Sequence, residues 1–161
     1  MGDPKSEFVK LLLQHQHIVH KICRAYCPRA EDRQDLFQEI ALQLWRAYPT
    51  FRSEAKESTW IYRVALNVAI SNVRRSKPKP EALTDGLFQM PDLADSHDSS
   101  AQMEALYQAI YALSDLEKAL VLLYFEDNSM EEIATLTGVT VGNVRVKMHR
   151  IREKLRAQIK L

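Results

Sequence analysis

The hydrophobic residues of the N-terminal part recur in steps of three and four, the spacing of amphipathic helices. The first predicted helix ends at Pro28, because proline interrupts helical hydrogen bonding. A second begins near Asp32 or Asp35 and ends at Pro49, and Ser58 or Thr59 can cap a third after a polar loop. The three stripes are Phe8, Leu11, Leu12, Ile18, Val19, Ile22 and Tyr26; Leu36, Ile40, Leu44 and Tyr48; and Ile61, Val64, Ala65 and Val68. Helices with such stripes can bury one another as a bundle.

The C-terminal part predicts four more helices with clear start and stop signals. The first has apolar residues at Met103, Leu106, Tyr107, Ile110 and Leu113. Ser114 and Ser129 each precede a glutamate by three residues, which is the capping-box pattern. Gly138 stands where a helix ends in a left-handed residue, and Thr140 can cap the last helix. The last stripe is Val141, Val144, Met148, Ile151, Leu155 and Ile159.

Residues 76–100 contain three of the six prolines and no long periodic stripe, which is typical of a linker. Phe88 and Met90 within it either dock on a neighbouring surface or belong to a short packed turn. Only 4 glycines are present and alternating Val/Ile/Thr runs are missing, so strands are not expected. The sequence predicts an all-α protein of two small helical domains, 1–75 and 101–161, joined by a flexible linker.

The net charge of +1 conceals a strong segregation of charge. Residues 60–80 have five basic residues and no acidic one, residues 81–104 have six acidic and no basic ones, and residues 141–161 have a net charge of +6. Two basic patches separated by an acidic stretch indicate two places for polyanion contact. The acidic stretch either mimics nucleic acid or remains a soluble, disordered connection.

Other function classes find little support in the sequence. No apolar stretch approaches the roughly 18–20 residues that span a bilayer, and the N-terminus lacks a secretion signal, so we expect a cytoplasmic protein without membrane insertion. His20, Cys23 and Cys27 are spaced by helical turns, yet a structural zinc site normally needs four ligands. We expect no metal and no cofactor. No nucleophile–base pair or phosphate-cradling glycine loop indicates an enzyme.

Ala134, Gly138 and Val144 have the spacing of a helix-turn-helix. A small residue in the first helix permits close approach of the second, the glycine permits the turn, and an apolar residue locks the pair. With Val144 facing inward, the outward positions of the last helix hold Arg145, Lys147, His149, Arg150 and Arg152. Side chains in the N-terminal half of such a helix reach base edges, and the amides at Gly142 and Asn143 suit a phosphate. The alternative is a solvated basic helix end.

Residues 35–75 include Asp35-Leu36-Phe37-Gln38-Glu39, then Phe51, Thr59-Trp60-Ile61-Tyr62-Arg63-Val64-Ala65-Leu66-Asn67 and Arg74-Arg75. This order resembles the core of bacterial sigma factors of the extracytoplasmic function (ECF) group. Residues 131–150 resemble the promoter-reading helix-turn-helix of the same family. The resemblance implies a protein that binds core RNA polymerase, through its β′ and β subunits, and directs it to promoter DNA. It also implies control by an anti-sigma factor.

The resemblance assigns roles to particular residues in both domains. Asp35, Leu36, Phe37, Gln38 and Glu39 would dock on a β′ coiled coil, although Leu36 also fits a core position and the acids a solvated face. Trp60, Asn67, Ser71, Arg74 and Arg75 would contact the melted −10 strand, with the loop from Phe51 to Ser58 holding a flipped base. Trp60 fits a core position equally well. Gly142, Asn143, Arg145, Lys147, His149 and Arg150 would contact the −35 duplex, where Val146 permits a thymine-methyl contact.

Two rival interpretations remain at this point. A stand-alone helix-turn-helix regulator would use the N-terminal helices as a sensor and would need dimer symmetry for adequate affinity. A metal-responsive helical protein would use His20, Cys23 and Cys27. A sigma factor differs from the regulator in barely binding duplex promoter without core polymerase.

Overall fold

The computed structural model describes residues 2–51, 56–75 and 101–159, except for the side chain of Arg74. Every regular element in these ranges is a helix. The chain divides into two compact units between Pro91 and Asp92. This division lies inside 76–100, so the predicted linker, with Phe88 and Met90, falls outside the described residues. Among the described helices, none combines the length and low polarity that crossing a bilayer requires.

The N-terminal unit is a helical bundle. Its elements are α1 (Pro4–Gln14), α2 (Gln16–Tyr26), α3 (Ala30–Ala47), a short 3-10 helix (Tyr48–Thr50) and α4 (Glu57–Arg75). Helices α2, α3 and α4 pack against one another, and α1 packs on α2. The largest fully buried side chains of this unit are Phe8, Ile18, Ile22, Leu36, Ile40, Leu44 and Ile61. These are stripe positions predicted from the sequence.

The first predicted helix is in fact two helices, so the single-helix prediction was wrong. His15 lies between α1 and α2 with φ −117° and ψ 17°, and its amide donates to the carbonyls of both Leu11 and Leu12. In an unbroken helix, position 15 would face the core in phase with Leu11 and Ile18. The His15 ring instead lies 3.2 Å from the Glu57 carboxylate at the start of α4. The periodic pattern conceals the break because its phase continues on both sides.

Two predicted helix starts in the N-terminal unit are also displaced. Helix α3 begins at Ala30, before Asp32, after a turn held by Arg33, which donates to the carbonyls of Cys27 and Pro28. Helix α4 begins at Glu57, so Ser58 and Thr59 lie in its first turn and not at its cap. Acidic residues in both first turns suit the positive end of the helix dipole.

The C-terminal unit consists of α5 (Ala101–Tyr111), α6 (Asp115–Phe125), α7 (Met130–Thr137) and α8 (Val141–Gln158). Both capping boxes form: the Ser114 hydroxyl accepts from the Glu117 amide, Ser129 accepts from Glu132, and both glutamates accept in return. The Thr140 hydroxyl accepts from the Asn143 amide. Helix α8 packs on α5, α6 and α7. Its buried residues Val144, Met148 and Ile151 meet a core that includes Ile110, Leu120, Leu123 and Ile133.

Candidate nucleic-acid and polymerase interfaces

The turn between α7 and α8 has the predicted helix-turn-helix geometry. Gly138 adopts φ 77°, the left-handed region that glycine enters without strain, and its amide donates to the Ala134 carbonyl. Val144 is fully buried behind the turn. The outward residues Arg145, His149 and Arg150 are exposed, and Lys147 is half-exposed. The short turn therefore presents the N-terminal half of α8 to solvent as a basic surface.

Three basic residues of α8 are engaged by the rest of the C-terminal unit. Arg145 lies 3.3 Å from the Glu131 carboxylate on α7. Arg152 donates to the Tyr124 hydroxyl at 2.7 Å and lies 4.9 Å from the centre of that ring. Lys154 pairs with Glu117 at 2.8 Å. Arg152 was predicted to fan outward, and the structure turns it back onto α6.

The remaining basic residues on the first turns of α8 are Lys147, His149 and Arg150. Within the described part of the chain, they make no ion pair or hydrogen bond. Val146 lies among them with 49% of its surface exposed. A large exposed apolar side chain between cations suits a groove that offers thymine methyl groups and phosphates together.

The start of α8 is only partly available to a phosphate. The Asn143 amide already donates to the Thr140 hydroxyl at 3.3 Å. At position 143, only the side chain is therefore left for the predicted DNA contact. The Gly142 amide has no partner within the helix, because the first turn lacks carbonyls to accept from it. A Cβ placed on Gly142 would meet no atom within 4 Å. The space above Gly142 is therefore open to an approaching backbone.

One face of α4 presents polar residues to solvent. Asn67, Ser71 and Arg75 are exposed, while Ile61, Ala65 and Ala69 face the core. Arg63 is also exposed, one turn before Asn67. The candidate set omitted Arg63, although its spacing of four from Asn67 places both on one face. The Arg74 side chain and residues 52–55 of the predicted base-holding loop lie outside the described residues.

Trp60 is half-buried at the start of α4 within a row of aromatic rings. Its ring centre lies 4.7 Å from that of Phe51 and 6.4 Å from that of Tyr48. Phe8 continues the row against Tyr48 and Trp45, at 5.3 Å and 5.2 Å. Trp60 therefore has a packing role in the unit, while part of its surface remains exposed to solvent.

The predicted polymerase-binding residues divide between surface and core. Asp35 is exposed, and Gln38 and Glu39 are half-exposed. Leu36 and Phe37 are buried, and Phe37 stacks on His20 at 4.9 Å. Their inclusion in a docking surface is corrected, because both side chains are packed inside the bundle and are not accessible to a partner. Leu36 and Phe37 support the face from beneath.

Comparison with known proteins matches both units. The family described as Sigma-70 region 2 matches residues 11–78, and Sigma-70, region 4 matches residues 103–155. The RNA polymerase sigma-H factor of Pseudomonas aeruginosa is 31% identical over 167 residues, covering 96% of this chain and 86% of that protein. The chain belongs to the ECF group of bacterial sigma factors.

Further relatives support this membership. The ECF sigma factor SigW of Bacillus subtilis is 28% identical, covering 99% of this chain and 91% of that one. The ECF sigma-E factor of Escherichia coli is 29% identical, covering 96% and 86%. The sigma factor RpoE of Bartonella quintana, solved with the anti-sigma factor NepR, shares the fold with TM-score 0.74 and 18% identity over 96% of this chain and 98% of that one. CnrH, solved with the cytosolic domain of CnrY, aligns with TM-score 0.64 and 19% identity over 95% and 87%.

Membership decides between the interpretations that the sequence left open. As an ECF sigma factor, the protein directs promoter-specific transcription initiation by RNA polymerase. The N-terminal unit matches Sigma-70 region 2, so it is a sigma-factor domain and not the sensor of a stand-alone regulator. Sigma factors are non-enzymatic regulators of transcription.

The cysteines of this sigma factor belong to its core. Cys23 and Cys27 are buried and form no disulfide. Burial raises the pKa of the Cys23 thiol, and the neighbouring Cys27 raises it further, so Cys23 stays protonated at neutral pH. Among the described residues, no group of three or more histidine, cysteine or acidic side chains is arranged to hold a metal.

Proposed function

We propose that the two units of this sigma factor divide promoter recognition between them. Residues 1–75 dock on core polymerase and bind the melted −10 strand, 76–100 connect the units, and 101–161 bind the −35 duplex. The observation that carries this proposal is a cluster of basic side chains, those of Lys147, His149 and Arg150, on the first turns of α8, beside exposed Val146. In the part of the chain that the structure describes, these side chains make no ion pair. Lys147, His149 and Arg150 offer phosphate and base contacts there, while Arg152 and Lys154 hold the helix on its unit.

The proposed −10 surface is the exposed face of α4. Asn67 and Ser71 offer hydrogen bonds to unpaired bases, and Arg63, Arg74 and Arg75 neutralise the backbone. Single-stranded DNA binds where a basic groove combines with aromatic stacking surfaces. The half-buried Trp60 supplies such a surface at the start of the same helix.

The proposed polymerase surface consists of Asp35, Gln38 and Glu39 on α3. These side chains reach solvent from a helix whose opposite face is buried in the bundle. The acidic Asp35 and Glu39 suit a basic partner surface on β′, and β is proposed as a second polymerase subunit that the protein contacts. Because polymerase and promoter lie in the cytoplasm, we place the protein there. It needs no cofactor and has no catalytic residues of its own in this role.

An anti-sigma factor is proposed as a further partner, since the sigma factor RpoE of Bartonella quintana, which has this fold, was solved in complex with the anti-sigma factor NepR. A partner of this kind would compete with polymerase for Asp35 and Glu39. It would therefore lower transcription without binding DNA.

Run-off transcription with purified bacterial core polymerase on a promoter pool tests the proposed division. Arg150→Ala should reduce promoter use and lower the salt slope of promoter binding by about one, since one phosphate contact is lost. Arg156→Ala is the matched control, because Arg156 lies at the far end of α8 and pairs with Glu153. Both variants should bind core polymerase like the wild type. If Arg150→Ala abolished polymerase binding, the assignment of the two units would be wrong.

A further inference from the structure

Glu131 on α7 is an acidic residue that contacts the proposed −35 surface through Arg145. Its carboxylate accepts a hydrogen bond from Nη2 of Arg145 at 3.3 Å, and 14 residues separate the two in sequence. Both side chains are largely exposed, at 66% and 61%. A carboxylate beside a DNA-binding helix repels phosphates. The helix dipole favours an acid in the first turn of α7, but it does not account for the contact of Glu131 with Arg145.

Arg145 occupies the fifth position of α8, within the half of a recognition helix that reaches base edges. Its guanidinium carries donors on three nitrogens in a rigid planar fork. The contact with Glu131 uses only Nη2. Nη2 has a second hydrogen, which can act together with a hydrogen of Nε or Nη1 as a parallel pair of donors. A guanine accepts such a pair through O6 and N7.

We propose that Glu131 is a positioning residue for base readout, which holds the Arg145 guanidinium in the orientation that reads a guanine of the −35 element. This inference rests on the proposed −35 role of α8. A free arginine has many rotamers and must lose them on binding. Glu131 restricts them beforehand and neutralises the charge, so that Arg145 contributes discrimination between bases more than attraction to any phosphate.

The alternative is that Arg145 leaves Glu131 and binds a phosphate. Both ideas predict tighter non-specific binding when the negative charge of Glu131 is removed. They differ in the expected preference for guanine over the other bases. Only the positioning role makes that preference depend on Glu131. They also differ in the comparison of Glu131→Gln with Glu131→Ala. Both remove the charge equally, but glutamine keeps an oxygen that can accept from Nη2.

The experiment uses the full chain with bacterial core polymerase and a promoter library randomised in the −35 element. Arg145→Ala first identifies the position whose guanine preference depends on Arg145. At that position, Glu131→Ala should lower the preference at least about fivefold, the lower end of what a bidentate contact supplies. Glu131→Gln should lose less of this guanine preference than Glu131→Ala does. The base preferences at other positions of the −35 element should stay unchanged. Glu153→Ala and Glu153→Gln are the matched controls, because Glu153 pairs with Arg156 far from the start of α8.

Thermal unfolding separates positioning from a general effect on the fold, since exposed ion pairs contribute little to stability. Unchanged unfolding with a position-specific loss of preference supports the proposal. Equal behaviour of the alanine and glutamine variants, a uniform change across all positions, or no loss in Arg145→Ala would each overturn it. If the wild-type holoenzyme itself failed to initiate at selected promoters, the proposed function would fail instead.

Discussion

Gly138 and Gly142 stand four residues apart, and alanine should have opposite effects on stability at the two positions. A Cβ at either glycine meets no atom within 4 Å, so steric overlap contributes nothing. Gly138 has φ 77°, where an L-residue costs about 1–2 kcal/mol. Gly142 lies in the right-handed backbone of α8, where alanine is favoured over glycine by up to about 1 kcal/mol.

Amide hydrogen exchange of α7 and α8 in the full chain measures this difference. Both tryptophans, Trp45 and Trp60, lie in the N-terminal unit, so tryptophan fluorescence would report the wrong part of the molecule. A loss of 1–2 kcal/mol in Gly138→Ala should accelerate exchange by about 5- to 30-fold. Gly142→Ala should exchange as slowly as the wild type or more slowly.

The same pair also tests the phosphate site at the start of α8. Gly142→Ala should support less transcription despite its undiminished stability, because the added methyl group fills the space through which a phosphate approaches the helix. Unchanged exchange in Gly138→Ala would refute the backbone argument for the turn. Full promoter use by Gly142→Ala would refute the close approach of DNA at that position.

Two further predictions concern Glu117 and Arg63. Partial burial by itself would raise the pKa of the Glu117 carboxyl, but hydrogen bonds from Lys154 and Ser114 hold that pKa below its ordinary value. The stabilisation is therefore present above the ordinary pKa and is lost as the pH falls through the lowered one. Glu117→Gln can keep the capping box but has no carboxyl group to titrate. The urea concentration that half-unfolds the C-terminal unit should therefore fall less at acidic pH in this variant than in the wild type. An equal fall in both proteins would contradict the prediction. Arg63→Ala should reduce open-complex formation and lower its salt slope by about 0.7, as expected for one backbone contact to a single strand. Arg46→Ala, an exposed cation on α3, is the control, and equal effects of the two variants would exclude a specific role for Arg63.

The local signals in the sequence predicted their structures well. The two capping boxes, the left-handed Gly138 and the Thr140 cap each depend on residues within three or four positions of one another. Such interactions are decided by the helix geometry alone, whatever the rest of the chain does. The apolar stripes likewise identified many of the core residues, although buried Tyr62, Leu66 and Leu122 lie outside them.

Surface and core roles within the motifs were harder to separate. Leu36 and Phe37 belong to the same motif as Asp35, yet only the packing of α2 and α4 against α3 decides which of them remain exposed. Arg63 was overlooked because the family pattern places it inside the motif without showing which face it occupies.

The sequence by itself determined the helical class, the family and the helix-turn-helix, because periodicity, capping and motif order are properties of neighbouring residues. Tertiary structure decided the break at His15 and which cations of α8 remain available. The contacts responsible join residues far apart in the chain: His15 with Glu57, Arg145 with Glu131, Arg152 with Tyr124 and Lys154 with Glu117. Whether a basic side chain faces DNA or its own domain depends on such distant partners, which only the folded chain brings together.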